Sequence, residues 1–216
     1  MNNKSINIFN SIFFGSIIVA CMLITVIMDL PLLTLISCIS SILYIVFLSD
    51  RNILNFIIGF ISSTTYIIVA YKTKLYGEVL FYLVIDLPMI FISYFSWRKH
   101  LEGKYRVTPR KLSLKTTIIT ILISIVAVLL YGQFLDYIGG INTYIDATST
   151  VVSFIATLLM TLRYREQWYM WLVVYLVSII MWITTFDILM LIMSISCFIS
   201  CFIGFINWTK ENKATN

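Results

Sequence analysis

Residues 55–66 of this 216-residue chain read NFIIGFISSTTY, and residues 171–182, which read WLVVYLVSIIMW, resemble them at an offset of 116 positions. A second pair, SYFSW at 93–97 and GFINW at 204–208, matches at an offset of 111. Each match alone is weak, because apolar helices resemble one another by chance. Together they indicate an internal repeat, and the change of offset predicts a loop five residues longer around 72–77 in the first copy.

The repeat predicts two three-helix units, at 31–97 and 145–208. Three is an odd number of membrane crossings, so the second unit would be inverted unless another helix intervened. The apolar segment 116–135 is that linker helix, and the two units are therefore expected to be parallel, related by an axis along the membrane normal. The segment 9–28 is expected to be an extra, retained N-terminal helix, because it is longer than the ~7–15 residues of a signal-peptide core. We expect a single membrane domain over 1–216.

The composition favours a bilayer over water as the solvent. The chain is 60% hydrophobic and 12% charged, whereas a soluble domain is about a quarter charged. So little polar surface cannot coat a globule in water. We expect an all-α integral membrane protein with about eight transmembrane helices, each near the ~20 residues that a bilayer requires. The predicted spans are 9–28, 31–48, 52–71, 76–97, 116–135, 145–162, 167–185 and 187–208.

The basic residues orient these spans. With both termini placed in the cytoplasm, thirteen of the fifteen Lys and Arg residues lie in cytoplasmic segments, and Lys72 and Lys74 alone lie outside. Positive residues favour the cytoplasmic side of a membrane. The sequence therefore predicts a multi-pass protein of the cell membrane with both termini inside. The net charge of +5 serves this topology, and we expect no nucleic-acid partner.

Metal and catalytic chemistry find little support in the sequence. The four cysteines lie inside apolar runs, and the single histidine, His100, lies among basic loop residues. A metal site needs several convergent ligands, so we expect buried thiols, no metal and no cofactor. No nucleophile with a matching base and no phosphate-binding glycine loop is visible, which argues against an enzyme.

Asp86 lies in the middle of a predicted span, in the stretch FYLVIDLPMI at 81–90. A carboxyl group at that depth is costly, and such residues usually face a cavity or a partner. Pro88, two residues on, interrupts the backbone hydrogen bonds, which is tolerated where the backbone lines a cavity. Asp86 is therefore a candidate pathway residue that faces a cationic substrate. The alternative is a protonated or hydrogen-bonded structural residue.

Trp168 and Trp171 lie one helical turn apart and project from one helix face. Paired indoles can stack on a flat heterocycle, and their faces attract cations. The alternative is anchoring at the membrane interface, where Trp is enriched. Ser149, Ser153 and Thr157 recur every four residues and line one face of a neighbouring helix. That face is expected either to line a cavity or to pack against another helix through small residues.

The chain resembles a known family in two stretches. The first is RNxxNFxxGxxSSxxY at 51–66, followed by KLYGE at 74–78. The second is DAxSTxxSxxA at 146–156, followed by RExWxxW at 165–171. These stretches resemble the Pnu-type vitamin transporters, most closely the PnuC family of nicotinamide riboside transporters. The resemblance covers about 30–210.

The resemblance implies a three-plus-one-plus-three helix arrangement like that of a full-length SWEET protein. It also implies facilitated diffusion of a vitamin precursor that a cytoplasmic kinase then traps, and it leaves open whether the protein forms a homo-oligomer. In that family the tryptophan pair is associated with the substrate. The candidate substrate-binding residues are Asn55, Asp86, Ser153, Thr157, Trp168, Trp171 and Tyr175.

This chain also departs from the family pattern. Thr157 and Ile90 stand where members often carry Gln, and Tyr175 stands where they often carry Asn. Nicotinamide riboside is the leading candidate, and thiamine, riboflavin and deoxynucleosides remain alternatives. A structural or signalling membrane protein that transports nothing is the rival class, and it would fill its interior with apolar side chains.

Overall fold

The computed structural model describes residues 3–137 and 143–214, and almost all of this part is helical. The helices are α1 (Asn3–Ile27), α2 (Leu32–Ser49), α3 (Asn55–Lys72), α4 (Tyr76–Phe81), α5 (Leu87–Arg98), α6 (Leu114–Tyr137), α7 (Thr143–Thr161), α8 (Gln167–Thr184) and α9 (Ile188–Ala214). A π-helical segment, Tyr82–Asp86, joins α4 to α5. Two short strands, β1 (Leu101–Glu102) and β2 (Arg106–Val107), form an antiparallel hairpin that the hydropathy pattern does not predict.

The expected all-helical membrane fold is confirmed. Each predicted span coincides with a helix, and the limits agree within three residues except at the start of α1 and the end of α9. In the described chain, six helices are long and apolar enough to cross a membrane: α2, the rod from Glu78 to Arg98, and α6 to α9. Ile12–Ile27 is a shorter apolar segment. The helix α3 is not among these six, because Asn55, Lys72 and a run of Ser and Thr lower its hydropathy.

The six helices of the two expected units form a closed ring. Within the units, α2 packs against α3, α3 against α5, α7 against α8, and α8 against α9. Between the units, α2 packs against α9, and the α4–α5 rod packs against α7. The helix α6 lies against α7, and α1 lies against α2 and α9. Each unit therefore contacts the other through its first and third helices.

Successive helices alternate in direction, so the connections gather at two ends of the bundle. Residues 50–54, 99–113 and 162–166 lie at one end, which we call the hairpin end. The turns at 73–75 and 185–187 lie at the other, which we call the Lys72 end.

Backbone geometry supports the repeat at a spacing of 112 residues. Positive φ angles occur at Arg51 (60°) and Arg163 (66°), and again at Lys74 (61°) and Phe186 (56°). Each residue follows the end of a helix, and the amides after Arg51 and Arg163 bond back five residues, to the carbonyls of Phe47 and Leu159. This is the left-handed helix ending that usually contains glycine.

The alignment offset of 116 is therefore wrong by four residues. The first helix residues of α3 and α8, Asn55 and Gln167, are 112 apart. Four residues are about one helical turn, so a shift of that size superposes one apolar face on another and leaves the hydropathy pattern almost unchanged. The longer loop expected around 72–77 is also wrong, because the turns 73–75 and 185–187 have equal length.

The π-helical segment accounts for the second offset. Trp97 and Trp208 are 111 residues apart, one fewer than the spacing of the helix starts. A π turn accommodates one residue more than an α turn, and Tyr82–Asp86 lies between Lys74 and Trp97. The first unit is thus longer than the second by one residue at this point.

Trp97 and Trp208 make reciprocal hydrogen bonds between the units. The indole nitrogen of Trp97 donates to the carbonyl of Met160 at 2.9 Å, and that of Trp208 donates to the carbonyl of Leu48 at 3.1 Å. Both acceptors lie near a helix end, and they also accept the backbone amides of Arg163 and Arg51, respectively. Both indoles are fully buried, and their ring centroids lie 5.7 Å apart. These two bonds join the last helix of each unit to the first helix of the other.

Trp97→Phe and Trp208→Phe should each lower the stability of the protein. Each change removes one buried hydrogen bond, a loss of about 0.5–1.5 kcal/mol, while the carbonyl keeps its bond to a backbone amide. Trp182→Phe is the matched control, because Trp182 is equally buried but its indole nitrogen has no partner within the described residues. Thermal denaturation in detergent measures the stabilities of the three variants. A loss of stability in Trp182→Phe as large as in the other two would contradict the prediction.

Candidate functional site

Asp86 is the last residue of the π-helical segment, and its side chain is buried. The hydroxyl of Ser63, on α3, donates a hydrogen bond to its carboxyl group at 2.5 Å. Pro88 would collide with the carbonyl of Val84 in a regular α-helix, and the wider π turn contains that carbonyl. The proline and the π segment together place the carboxyl group of Asp86 inside the ring.

Three tyrosines connect Asp86 to the second unit. Tyr44 donates its hydroxyl to the sulfur of Met160 at 3.1 Å. Tyr44 and Tyr82 both lie near Asp86, and Tyr175 lies near both of these tyrosines. We call Tyr44, Tyr82 and Tyr175 the tyrosine cluster. It places phenol groups between the acid of the first unit and the aromatic side chains of α8.

The two candidate tryptophans have different surroundings. Trp171 stacks on Tyr175, with ring centroids 5.9 Å apart and an interplanar angle of 28°. Trp168 is fully buried, and its ring meets Trp208 edge-on at 6.1 Å. A Cβ atom at Gly204 would lie 2.3 Å from the Trp168 ring, so only glycine fits there. Trp171 therefore faces the tyrosine cluster, while Trp168 is packed into the hairpin end.

The other candidates lie on α3 and α7. Asn55 is the first residue of α3, and its side-chain nitrogen donates to the carbonyl of Asn52 at 2.6 Å. Ser149, Ser153 and Thr157 are all buried, so the predicted face of α7 does point into the bundle. In the described parts of the chain, the structure brings together Asp86, Tyr175 and Trp171, while Asn55 and Trp168 lie toward the hairpin end.

Several buried polar atoms have no hydrogen-bond partner among the described residues. They include Oδ1 of Asn55, Oγ1 of Thr157, and the indole nitrogens of Trp168 and Trp171. Both side-chain amide atoms of Gln167 are also unpaired. Buried polar groups are normally satisfied by protein, water or ligand. Four of the unpaired atoms belong to candidate residues, and Gln167 is a further candidate that the sequence reasoning missed.

Glu78 is the second residue that the reasoning missed. It is a buried acid in the first turn of α4. The hydroxyl of Ser149 donates to it at 2.6 Å, and the hydroxyl of Tyr66 donates at 3.4 Å. The signal was present in the sequence, because residue 78 is an acid inside the predicted span 76–97.

The segment 101–112, which we call the strap, binds both units at the hairpin end. The amide of Ile53 donates to the carbonyl of Tyr105 at 2.8 Å, which ties the α2–α3 loop. Arg110 ties the α7–α8 loop, since its amide donates to the carbonyl of Arg163 at 2.7 Å and its carbonyl accepts from Arg165 at 2.9 Å. The strap thus pairs through backbone atoms with equivalent loops of the two units.

Two buried arginines reinforce the strap. Arg51 donates to the carbonyl of Val107 at 3.2 Å and pairs with Glu211 at 2.8 Å. Arg163 donates to the carbonyl of Thr108 at 3.3 Å. Burial lowers the pKa of the Arg51 guanidinium, and Glu211 opposes that shift. Burial, followed by the positive charge of Arg110, lowers the pKa of Arg163.

Glu166 connects the strap to the tryptophan helix. It is buried, accepts a hydrogen bond from the amide of Leu112 at 3.0 Å, and pairs with Arg165 at 3.0 Å. Glu166 comes directly before α8, two residues from Trp168. The acid in the RExWxxW stretch therefore positions the start of α8.

The cysteines are buried thiols, and two surface grooves are apolar. All four cysteines are buried and free, and the sulfurs of Cys21 and Cys38 lie 3.7 Å apart. Among the described residues, no group of three His, Cys, Asp or Glu side chains could hold a metal. Grooves of about 480 Å³ between α3 and α5, and about 360 Å³ between α6, α7 and α8, are lined almost wholly by apolar side chains. Such linings suit lipid chains.

Comparison with known proteins gives consistent results. The family described as "Nicotinamide mononucleotide transporter" matches residues 31–210. The chain is 36% identical over 187 residues to the nicotinamide riboside transporter PnuC of Haemophilus influenzae, covering 85% of this chain and 82% of that protein. It is 31% identical over 189 residues to the PnuC of Neisseria mucosa, covering 82% and 72%.

A solved structure shows the same fold. The crystal structure of the vitamin B3 transporter PnuC superposes with a TM-score of 0.88 at 29% sequence identity. The match covers 96% of this chain and 93% of that one.

Glu166→Ala should loosen the strap. The change removes the acceptor of the Leu112 amide and the partner of Arg165, so we expect faster hydrogen exchange across 108–112 and a loss of about 1–3 kcal/mol of stability. Asp136→Ala is the control, because Asp136 is an exposed acid at the end of α6 that is remote from the strap. Hydrogen-exchange mass spectrometry on both variants measures the protection of the amides at 108–112. Unchanged protection of 108–112 in Glu166→Ala would show that Glu166 does not hold the strap.

Proposed function

Because the chain belongs to the nicotinamide mononucleotide transporter family, which the match over residues 31–210 shows, we propose that it carries nicotinamide riboside or a similar vitamin precursor into the cytoplasm by uniport. That the protein is a multi-pass membrane transporter follows from the family and from its apolar helices. The choice of substrate extends to this chain what its PnuC relatives are named for.

The observation that carries the proposal is that the tyrosine cluster links a buried acid to an aromatic pair. Asp86 belongs to the first unit, and the stacked pair Trp171 and Tyr175 belongs to the second. An aromatic face attracts a cationic ring, and a carboxyl group on the opposite side complements its charge. A flat, positively charged heterocycle such as a nicotinamide ring suits this arrangement.

Unpaired polar atoms on α3, α7 and α8 supply contacts to the rest of the ligand. Within the described chain, hydrogen-bond partners are missing for the hydroxyl of Thr157, the side-chain oxygen of Asn55 and both amide atoms of Gln167. A sugar carries several hydroxyl groups that can bond to such atoms. Thiamine, also a flat cation, is the second candidate, because Ile90 and Tyr175 replace two amides that many family members carry.

The direction of transport rests on the charge distribution and on metabolism. We place the hairpin end in the cytoplasm, because it carries Arg51, Arg106, Arg110, Arg163 and Arg165, whereas the Lys72 end carries Lys72 and Lys74. Phosphorylation of the imported precursor by a cytoplasmic kinase would keep its free concentration low inside the cell. The concentration gradient of the substrate then drives uptake. The proposed location is the cell membrane, with both termini in the cytoplasm.

Trp171→Ala should weaken binding of nicotinamide riboside by about tenfold or more, the loss expected when stacking and cation–π contacts are removed from a desolvated site. Tyr169→Ala is the matched control, because Tyr169 is a half-exposed aromatic residue of the same helix that packs on Phe205. Calorimetry on the purified protein, with thiamine, riboflavin and deoxynucleosides as competitors, measures the effect. Equal affinity in the two variants would place the site elsewhere, and tighter binding of a competitor would change the substrate.

Uptake should follow the substrate gradient and should survive collapse of the proton gradient. A proton-driven carrier needs a relay of ionisable groups through the membrane, and here the two buried acids, Asp86 and Glu78, bond to neutral hydroxyls. Counterflow of labelled substrate in liposomes, with and without a protonophore, is the measurement. Liposomes that exchange substrate only while a proton gradient is present would overturn uniport.

A further inference from the structure

Glu78 joins the two units at the Lys72 end of the bundle. It lies in the first turn of α4, and its carboxyl group accepts the hydroxyl of Ser149, on α7, at 2.6 Å. Its second oxygen accepts the hydroxyl of Tyr66, on α3, at 3.4 Å. The helix α4 belongs to the first expected unit and α7 to the second, so the bond to Ser149 crosses between them.

Aromatic rings fill the space beside this bond. Tyr66 lies 4.5 Å from Tyr82 and meets Trp182 edge-on at 5.9 Å, measured between ring centroids. Tyr66, Trp182 and Glu78 are all buried. These contacts draw α3, α4 and α8 together at one level of the bundle, so a ligand approaching Asp86 from the Lys72 end meets a closed layer.

The π-helical segment turns Glu78 and Asp86 toward the same side. Eight residues of a regular α-helix turn through about 800°, which would leave the two side chains about 80° apart around the axis. A π turn absorbs one residue, so the same eight residues turn through about 700° and leave them about 20° apart. The burial pattern agrees, because Glu78, Asp86 and Ile90 are buried while Leu83 and Val84 are exposed. The extra residue of the first unit thus aligns its two acids along one wall.

The geometry points to Glu78 as the residue that closes the pathway at the Lys72 end, through a bond to Ser149 that must break before a substrate reaches Asp86. This role rests on the transport function proposed above. When the bond breaks, the carboxyl group is free to accept a hydrogen bond from an arriving cation or sugar hydroxyl. Glu78 therefore controls access to the site and lies outside it.

Thiol labelling tests closure without any substrate. The chain has four cysteines, and the changes Cys21→Ser, Cys38→Ser and Cys201→Ser leave Cys197 as the single thiol. Cys197 is buried and lies near Tyr44, Tyr82 and Tyr175, so it reports on access to the tyrosine cluster. The parent protein in lipid nanodiscs is treated with a small, charged methanethiosulfonate reagent, and the modification rate is read by mass spectrometry.

Ser149→Ala should raise the labelling rate of Cys197 by about tenfold, the shift in population expected from losing one buried hydrogen bond. Glu78→Ala should do the same, whereas Glu78→Gln, which keeps an acceptor for Ser149, should label at the rate of the parent. Thr148→Ala is the matched control, because the hydroxyl of Thr148 bonds to its own helix at Tyr144.

Labelling of Ser149→Ala and Glu78→Ala at the parent rate would overturn the proposal. If Glu78→Ala does not fold, Ser149→Ala against Thr148→Ala decides alone. Because no substrate is present, a wrong choice of vitamin precursor leaves this experiment unaffected. Normal uptake together with unchanged labelling would remove the closing role of Glu78 and leave the transport function standing.

Discussion

The bilayer offers no water to a polar group, and this constraint determines most of what the structure shows. Backbone groups at membrane depth must bond within their own helix, so the chain crosses only as helices. Side chains obey the same rule, and each acid buried in the α4–α5 rod accepts a hydroxyl from another helix: Ser63 for Asp86 and Ser149 for Glu78. Where the helices end, the indoles of Trp97 and Trp208 donate to carbonyls that also accept a backbone amide. The bond from Ser149 to Glu78 and the two indole bonds therefore mark points at which the two units hold each other.

The sequence predicted the helices well because hydropathy measures the property that the bilayer selects. It could not predict their alignment between units, because a slip of one turn preserves the apolar face, and the offset of 116 contained such a slip. The π-helical segment Tyr82–Asp86 was equally hidden, since one inserted residue changes neither composition nor length enough to notice. The strap escaped prediction for a different reason. Its pairing uses backbone atoms of distant loops, which carry no signature in the side chains of Leu101–Glu102 or Arg106–Val107.

The candidate site was predictable in part. An acid at mid-span and an aromatic pair on one helix face have direct physical costs or preferences, and Asp86 and Trp171 were found by them. Trp168 shares that face, yet its ring is packed against Trp208 and Gly204, a contact that depends on how α8 and α9 meet. Gln167 and Glu78 lay at the ends of predicted spans, where a polar residue attracts little notice. Their importance follows from burial, and burial is a property of the assembled bundle.

The unequal length of the two units has a consequence for how such a protein can be built. If two identical copies of one unit assembled around the same axis, both walls of the pathway would carry the same side chains. One extra residue in the first unit, at Tyr82–Asp86, gives that unit a wall of acids, while the second unit offers aromatic rings from α8. A homodimer of either half would double one wall and lose the other. Joining both halves in a single chain allows them to diverge, and a ligand with a charged ring at one end and a polar group at the other can then be held in one orientation.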